Sequence, residues 1–78
     1  MSAALSSIQI GQTVTISSID DSVIKPKLME MGLVKGKELM VLFKAPFGDP
    51  IAIDVQGYIL SLRLDEAALI QVDTAIFA

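Results

Sequence analysis

This 78-residue sequence contains neither His nor Cys. Its nine carboxylates are therefore the side chains to consider first for acid–base or metal chemistry. The usual nucleophile–base pairs, zinc sites and soft ligands for iron therefore have no residues to supply them. Asp20-Asp21 and Asp65-Glu66 are adjacent pairs, but neighbours in sequence rarely converge on one ion, and both pairs suit the start of a helix. We predict no metal site and no cofactor.

Two further carboxylates, Asp49 and Asp54, could be imagined as a general acid and a general base. Asp49 lies between Gly48 and Pro50, where an aspartate folds back onto turn amides, and Asp54 lies on the polar side of an alternating strand. These structural roles explain both residues more simply than catalysis does. The sequence therefore argues against an enzyme, and we predict no catalytic residue.

A short loop at residues 45–50, Ala-Pro-Phe-Gly-Asp-Pro, separates two apolar strand-like runs and is here called the proline loop. Pro46 fixes its own φ and extends the residue before it, and neither proline can donate a ladder hydrogen bond. Gly48 can adopt a positive φ. The loop should be rigid, with Phe47 at its tip. It is typical of a recognition element, although Phe47 folded down as a plug for one end of a barrel is an equal alternative.

We predict a partner-binding surface centred on this loop. Its candidate residues are Phe47, Pro46, Gly48 and Asp49, with Lys27 and Met31 as weaker candidates on a neighbouring helix. Four of the six basic residues lie between positions 25 and 37. They indicate a solvated face, or in a second interpretation a contact with an acidic partner.

The elements that must position these residues are short strands with period-two alternation and tight turns. We predict five strands, at residues 13–18, 38–44, 51–55, 58–62 and 69–73, and a helix over residues 25–31 that Gly32 ends with a positive φ. Asp20, Asp21 or Ser22 should cap that helix, and the first seven residues should fray. The predicted core consists of Val14, Ile16, Leu28, Leu33, Leu39, Val41, Ile53, Leu60, Leu62 and Ile70.

Composition predicts a single domain over residues 1–78, with its core at about residues 5–73. The hydrophobic content of 53% is high for so small a domain, which suggests a surface that a partner covers. The net charge of −3 and the four aromatic residues argue against nucleic acid. No apolar run reaches membrane-spanning length and no secretory signal is evident, so we expect a cytoplasmic protein without direct membrane insertion.

Several motifs follow one another in a characteristic order. LMEMGLVKG occupies residues 28–36, APFGDPI residues 45–51, GYILSLR residues 57–63 and IQV residues 70–72. This set resembles the FeoA family, the small cytosolic component of bacterial ferrous-iron uptake systems. The resemblance implies a mainly β fold, a small five-stranded SH3-like β-barrel with one or two short helices. It also implies a partner, the Feo membrane transporter with its cytosolic GTP-binding domain. The residue before Leu28 is often Arg in that family and is Lys27 here.

Other functions remain open at this point. The same fold occurs as the C-terminal domain of metal-dependent repressors, so a transition-metal-binding regulatory module is the alternative. A peptide-binding SH3 domain would need more aromatic residues in its groove. Arg63 could serve as an arginine finger for GTP hydrolysis, but a local ion pair or carbonyl contact explains it more simply. The apolar residues 74–78 would favour self-association.

Overall fold

The computed structural model describes residues 2–74, which form one six-stranded antiparallel sheet. The strands are β1 (Ser2–Ala4), β2 (Thr13–Ile19), β3 (Glu38–Lys44), β4 (Ile51–Val55), β5 (Tyr58–Leu62) and β6 (Ile70–Asp73). Two short helices, α1 (Lys25–Glu30) and α2 (Leu64–Ala67), connect them, together with 3-10 turns at Leu5–Ser7 and Pro46–Gly48. None of the helices within residues 2–74 is long and apolar enough to cross a membrane.

The strand order is β1-β6-β2-β3-β4-β5. The five predicted strands are confirmed as β2 to β6, and β1 is an additional strand. The predicted barrel closure is wrong for the described residues, because β1 and β5 remain the two edges of the sheet. The sheet instead wraps around its core with irregularities in register after Ile16 in β2 and after Val41 in β3. Such bulges increase the local twist and let one sheet curve around a core.

The predicted fraying of the first seven residues is wrong. Ala3 in β1 pairs with Val72 in β6, and Leu5 is fully buried in the core beside Ile8. Small residues such as Ser and Ala carry little strand signal, yet the backbone hydrogen bonds of an added strand do not depend on side chains. The segment from β1 to Leu5 is therefore part of the folded domain.

Alternation places the apolar side chains of the strands inside, and nine of the ten predicted core residues are buried. Leu60 is the exception and is only half-buried. Its register is as predicted, since it pairs with the buried Ile53 of β4. Leu60 lies on the edge strand β5, so no further strand covers its other side.

Helix α1 contains Pro26 in its first turn, as predicted, where the missing N–H costs nothing. The predicted side-chain cap is wrong: Ile24 precedes the helix without capping it, and Asp21 instead forms an ion pair with Lys25 (3.1 Å). The helix C-terminus is as predicted. Gly32 has φ = +94°, and the N–H of Leu33 donates to the carbonyl of Leu28 (3.2 Å), closing a Schellman turn.

Candidate partner-binding surface

The proline loop is closed by its own backbone. The Ala45 N–H donates to the Pro50 carbonyl (3.0 Å), and the Gly48 N–H donates to the Ala45 carbonyl (2.7 Å). The Asp49–Pro50 peptide bond is cis. Pro46 starts a tight turn in which Phe47 and Gly48 have φ values of +70° and +79°. The loop is thus a defined structure, as the two prolines predict.

Phe47 projects entirely into solvent, with 101% of its reference surface exposed. The alternative in which Phe47 plugs one end of the fold is therefore wrong. Its backbone is also in the left-handed region, which costs a residue with a Cβ about 1–2 kcal/mol. Glycine would fit this position without strain, so an exposed, strained phenylalanine is a feature that folding does not require.

Asp49 has a structural partner in the chain that the sequence did not reveal. Its Oδ1 accepts the N–H of Leu64, the first residue of α2, at 3.1 Å. Glu66 Oε1 accepts the N–H of Arg63 at 2.8 Å, and Asp65 Oδ1 accepts the N–H of Glu66 at 2.9 Å, so three carboxylates bind amide groups at this helix start. The loop is thereby attached to α2. The Arg63–Glu66 contact runs through the arginine backbone, and the Arg63 side chain is not needed for it.

Two further exposed apolar residues lie at the end of the sheet where the proline loop projects. Phe43 is near the end of β3, on the outer face and paired with Ala52, and Leu64 begins α2 one residue after the end of β5. Lys44, Ile51 and Leu62 form the last row of paired residues at this end. Phe47 is therefore one of three exposed apolar residues located at this end of the sheet.

The weaker candidates on α1 lie elsewhere. The Met31 carbonyl accepts the hydroxyl of Tyr58 (2.9 Å), which places the end of α1 beside the first residue of β5, whereas the proline loop adjoins Leu62, the last residue of that strand. Tyr58 and Leu62 are four positions apart, which is about 13 Å along an extended strand. Lys27 is exposed, while the side chain of Met31 packs against the core. The structure does not bring these two residues together with Phe47.

Gly32 is in close contact with Tyr58, a contact that the sequence does not reveal. Besides its positive φ, it lies against the Tyr58 hydroxyl, which a Cβ at this position would overlap. The glycine is therefore required twice, once by the helix end and once by the tyrosine that connects α1 to β5. No local pattern could predict this contact, because the two residues are 26 positions apart in sequence and meet only in the fold.

A cleft of about 190 Å³ lies beside α1. It is lined by Met29, Leu33 and Val34 and by the two lysines Lys25 and Lys35. It lies on the α1 side of the sheet, away from the proline loop. Among residues 2–74, no group of three or more carboxylates is positioned to hold a metal ion.

These features define a class of protein. The fold is a small, mainly β domain with a rigid loop that presents an exposed aromatic residue. The model of the FeoA domain family matches residues 3–74, so the chain belongs to the FeoA family.

Individual relatives agree with the family. A fusion of Fe(2+) transport protein A with the Fe(2+) transporter FeoB from Porphyromonas gingivalis is 34% identical over 70 residues, which cover 88% of this chain and 8% of the fusion protein. The chain thus spans about a twelfth of that relative's length. The solution structure of a FeoA-like protein from Clostridium acetobutylicum is 38% identical with a TM-score of 0.90, over 99% of this chain and 91% of the other.

The fold itself is SH3-like. The crystal structure of Stenotrophomonas maltophilia FeoA in complex with zinc, described as an SH3 domain protein, is 31% identical with a TM-score of 0.79. The match covers 94% of this chain and 89% of that one. A manganese-dependent transcriptional repressor aligns with a TM-score of 0.85 at 21% identity, over 95% of this chain and 42% of the repressor, which is a likeness of fold alone. The predicted mainly β, SH3-like fold is confirmed, with the open sheet as the difference.

Proposed function

We propose that the chain is a small cytoplasmic accessory protein of a bacterial ferrous-iron uptake system. In this proposal it has no catalytic activity of its own. It acts by contacting the Feo membrane transporter through that transporter's cytosolic GTP-binding domain, and Phe47 in the proline loop is the anchor of the contact. The fusion of the two proteins in the Porphyromonas gingivalis relative supports this association, because fused domains commonly have partners that are otherwise separate chains.

The observation that carries the proposal is the combination of exposure and strain at Phe47. A side chain that is exposed in full and held at φ = +70° contributes nothing to the core and raises the energy of the free domain. Aromatic residues are frequent anchors of protein interfaces, where they fill a pocket of the partner. The closed loop also needs little ordering on binding, which reduces the entropic cost.

Phe43 and Leu64 would surround the anchor as additional apolar contacts. Asp49 has a supporting role in this account, because its carboxylate is bound to the start of α2. Pro46 and Gly48 shape the loop by fixing φ and by permitting the second left-handed residue. Lys27 and Met31 lie at α1, whose end adjoins the far end of β5, and that end is about 13 Å along the strand from the end beside the proline loop. They would be reached only by a partner large enough to cover both ends of that strand.

The test is the substitution Phe47→Ala, with Val23→Ala as the matched control, because Val23 is also apolar and 97% exposed but precedes α1. Binding to the purified GTP-binding domain of the transporter from the same organism is measured by calorimetry with and without GTP. We expect Phe47→Ala to weaken binding at least tenfold and Val23→Ala to leave it unchanged, with ferrous-iron uptake falling in parallel. Equal binding by both variants and the parent protein would remove the proline loop from the proposal.

A regulatory module that binds a transition metal directly is the second candidate, because the Stenotrophomonas maltophilia relative is described as complexed with zinc. Titration of this protein with ferrous iron under anaerobic conditions separates the two candidates. Tight one-to-one binding would favour the regulatory module, whereas transporter binding that is the same with and without iron would favour the accessory role.

A further inference from the structure

Strand β5 is an edge without the usual protection. Natural edge strands are kept from pairing with other chains by charged residues, proline, bulges or short length. The other edge, β1, has only three residues, but β5 has five, reads Tyr-Ile-Leu-Ser-Leu, and pairs with β4 in continuous register. It contains neither a charge nor a proline. This edge is therefore open to strand addition.

The direction of its backbone groups follows from the hairpin. Gln56 and Gly57 have φ values of +52° and +107°, which form a two-residue turn of the primed type. In such a hairpin the residues flanking the turn, here Val55 and Tyr58, form a hydrogen-bonded pair, and bonded pairs then alternate along the strand. Leu60 and Leu62 thus bond to β4, whereas Ile59 and Ser61 direct their N–H and C=O groups away from it.

The side chains of this strand agree with an uncovered edge. Ile59 is 68% exposed on the outer face, opposite Asp54, and Ser61 is exposed beside it. Leu60 points inward yet remains half-buried. No backbone hydrogen bond joins Ile59 or Ser61 to a residue outside β4 within residues 2–74. The β5 edge thus exposes both unpaired backbone groups, at Ile59 and Ser61, and apolar side-chain surface, at Ile59 and Leu60.

We propose that β5 pairs with β5 of a second copy of this chain, antiparallel and centred on Leu60. Ile59 of one copy then lies opposite Ser61 of the other. Because both residues direct their backbone groups outward, each Ile59–Ser61 pair forms two hydrogen bonds, and the two-fold axis doubles them to four. Leu60 meets its counterpart across the axis as a non-bonded pair, the pair type in which side chains approach most closely. The result is one continuous sheet through both copies.

A second copy of β5 fits this edge better than an arbitrary segment for two reasons. The antiparallel register centred on Leu60 gives hydrogen bonds to the N–H and C=O groups of both Ile59 and Ser61. It also places no charged residue of one strand opposite a charged residue of the other. The chain has a net charge of −3, and like charges directly opposite in a sheet are destabilising, but the charges lie outside β5. The strand is about 17 Å long, so the interface is small and the dimer depends on protein concentration. This proposal does not rest on the transporter or on Phe47.

The test is sedimentation of the full chain between micromolar and millimolar concentrations, together with amide exchange of individual residues by NMR. We expect the mass to rise towards that of a dimer and the Ile59 and Ser61 amides to become at least tenfold more protected at the high concentration. Ile59→Lys places a charge on the edge and should keep the protein monomeric. Val23→Lys adds the same charge on an exposed residue before α1 and should leave dimerisation unchanged.

Three results would overturn the proposal. A protein that stays monomeric at millimolar concentration has no such pairing. A dimer in which the Ile59 and Ser61 amides exchange as fast as in the monomer uses another surface. A monomer that loses transporter binding through Ile59→Lys, with an unchanged melting temperature, would assign this edge to the transporter instead of a second copy.

Discussion

At the scale of single residues, Phe47 and Gly32 both have a positive φ, and they differ in what the surrounding structure requires. Gly32 ends α1 and lies against a side chain, so only glycine fits. Phe47 has open solvent around it, and the left-handed backbone there would be easier for glycine. The sequence predicted the glycine from its position after a helix, but nothing local predicts a phenylalanine with φ = +70°.

The strain at Phe47 leads to a prediction about stability. Phe47→Gly should raise the free energy of unfolding by about 1 kcal/mol, because the steric cost of the left-handed backbone disappears. For a domain of this size that is about 4–8 °C in melting temperature. Phe47→Ala keeps the Cβ and should change the melting temperature little. A lower melting temperature for Phe47→Gly than for Phe47→Ala would show that the loop is not strained.

Gly32 allows a test of steric overlap with a control inside the same chain. Gly36 also has a positive φ, +92°, but nothing lies within 4 Å of a Cβ there. Gly36→Ala should therefore cost only the backbone term, about 1–2 kcal/mol. Gly32→Ala should cost at least about 1 kcal/mol more, because the Tyr58 hydroxyl must move and its hydrogen bond to Met31 is lost.

Urea unfolding of the two glycine variants measures that difference, and the same measurement in a Tyr58→Phe background identifies its cause. Phenylalanine lacks the hydroxyl that overlaps the new Cβ, so the extra cost of Gly32→Ala should largely disappear there. Equal costs for the two glycine substitutions would contradict the contact with Tyr58.

At the scale of elements, the sequence predicted those structures whose signal is local. Alternating Val14 and Ile16 and the glycine at the end of α1 each correspond to an observed element. The missed element, β1, has no local pattern and is held by pairing with β6 at the other end of the chain. For the candidate surface, the rigid loop was predictable from its prolines. The link from Asp49 to Leu64 was not, because it is a long-range contact between a loop and a helix.

That link predicts a role for Asp49 in holding the proline loop. Asp49→Ala leaves the Leu64 N–H without its acceptor and should cost about 0.5–2 kcal/mol, the usual range for losing a helix-start carboxylate. The Leu64 amide should exchange faster with solvent in this variant. Asp49→Asn keeps an acceptor oxygen and should retain most of the protection. Unchanged exchange at Leu64 in Asp49→Ala would mean that the loop is positioned without this bond.

At the scale of the whole molecule, the exposed apolar residues are distributed over separate regions rather than one face. Phe43, Phe47 and Leu64 lie at the proline-loop end, Ile59 lies along the β5 edge, and Val23 and Met29 lie near α1. The high hydrophobic content noted in the sequence is thus divided between a core that fills the curved sheet and several separate exposed regions. The prediction of self-association from the apolar residues 74–78 concerns positions that, after Thr74, lie outside the described residues.

The pairing of β1 with β6 has a consequence for chain connectivity. Ser2 and Asp73 are opposite each other in neighbouring strands, so the space between them can be bridged by a short peptide. A circular permutant that joins these positions and opens the chain at Val23, which is 97% exposed in the turn before α1, should fold to the same sheet. Its amide spectrum should match that of the parent except near the new junctions. Order of the strands in space, rather than order along the chain, would then be what defines this domain.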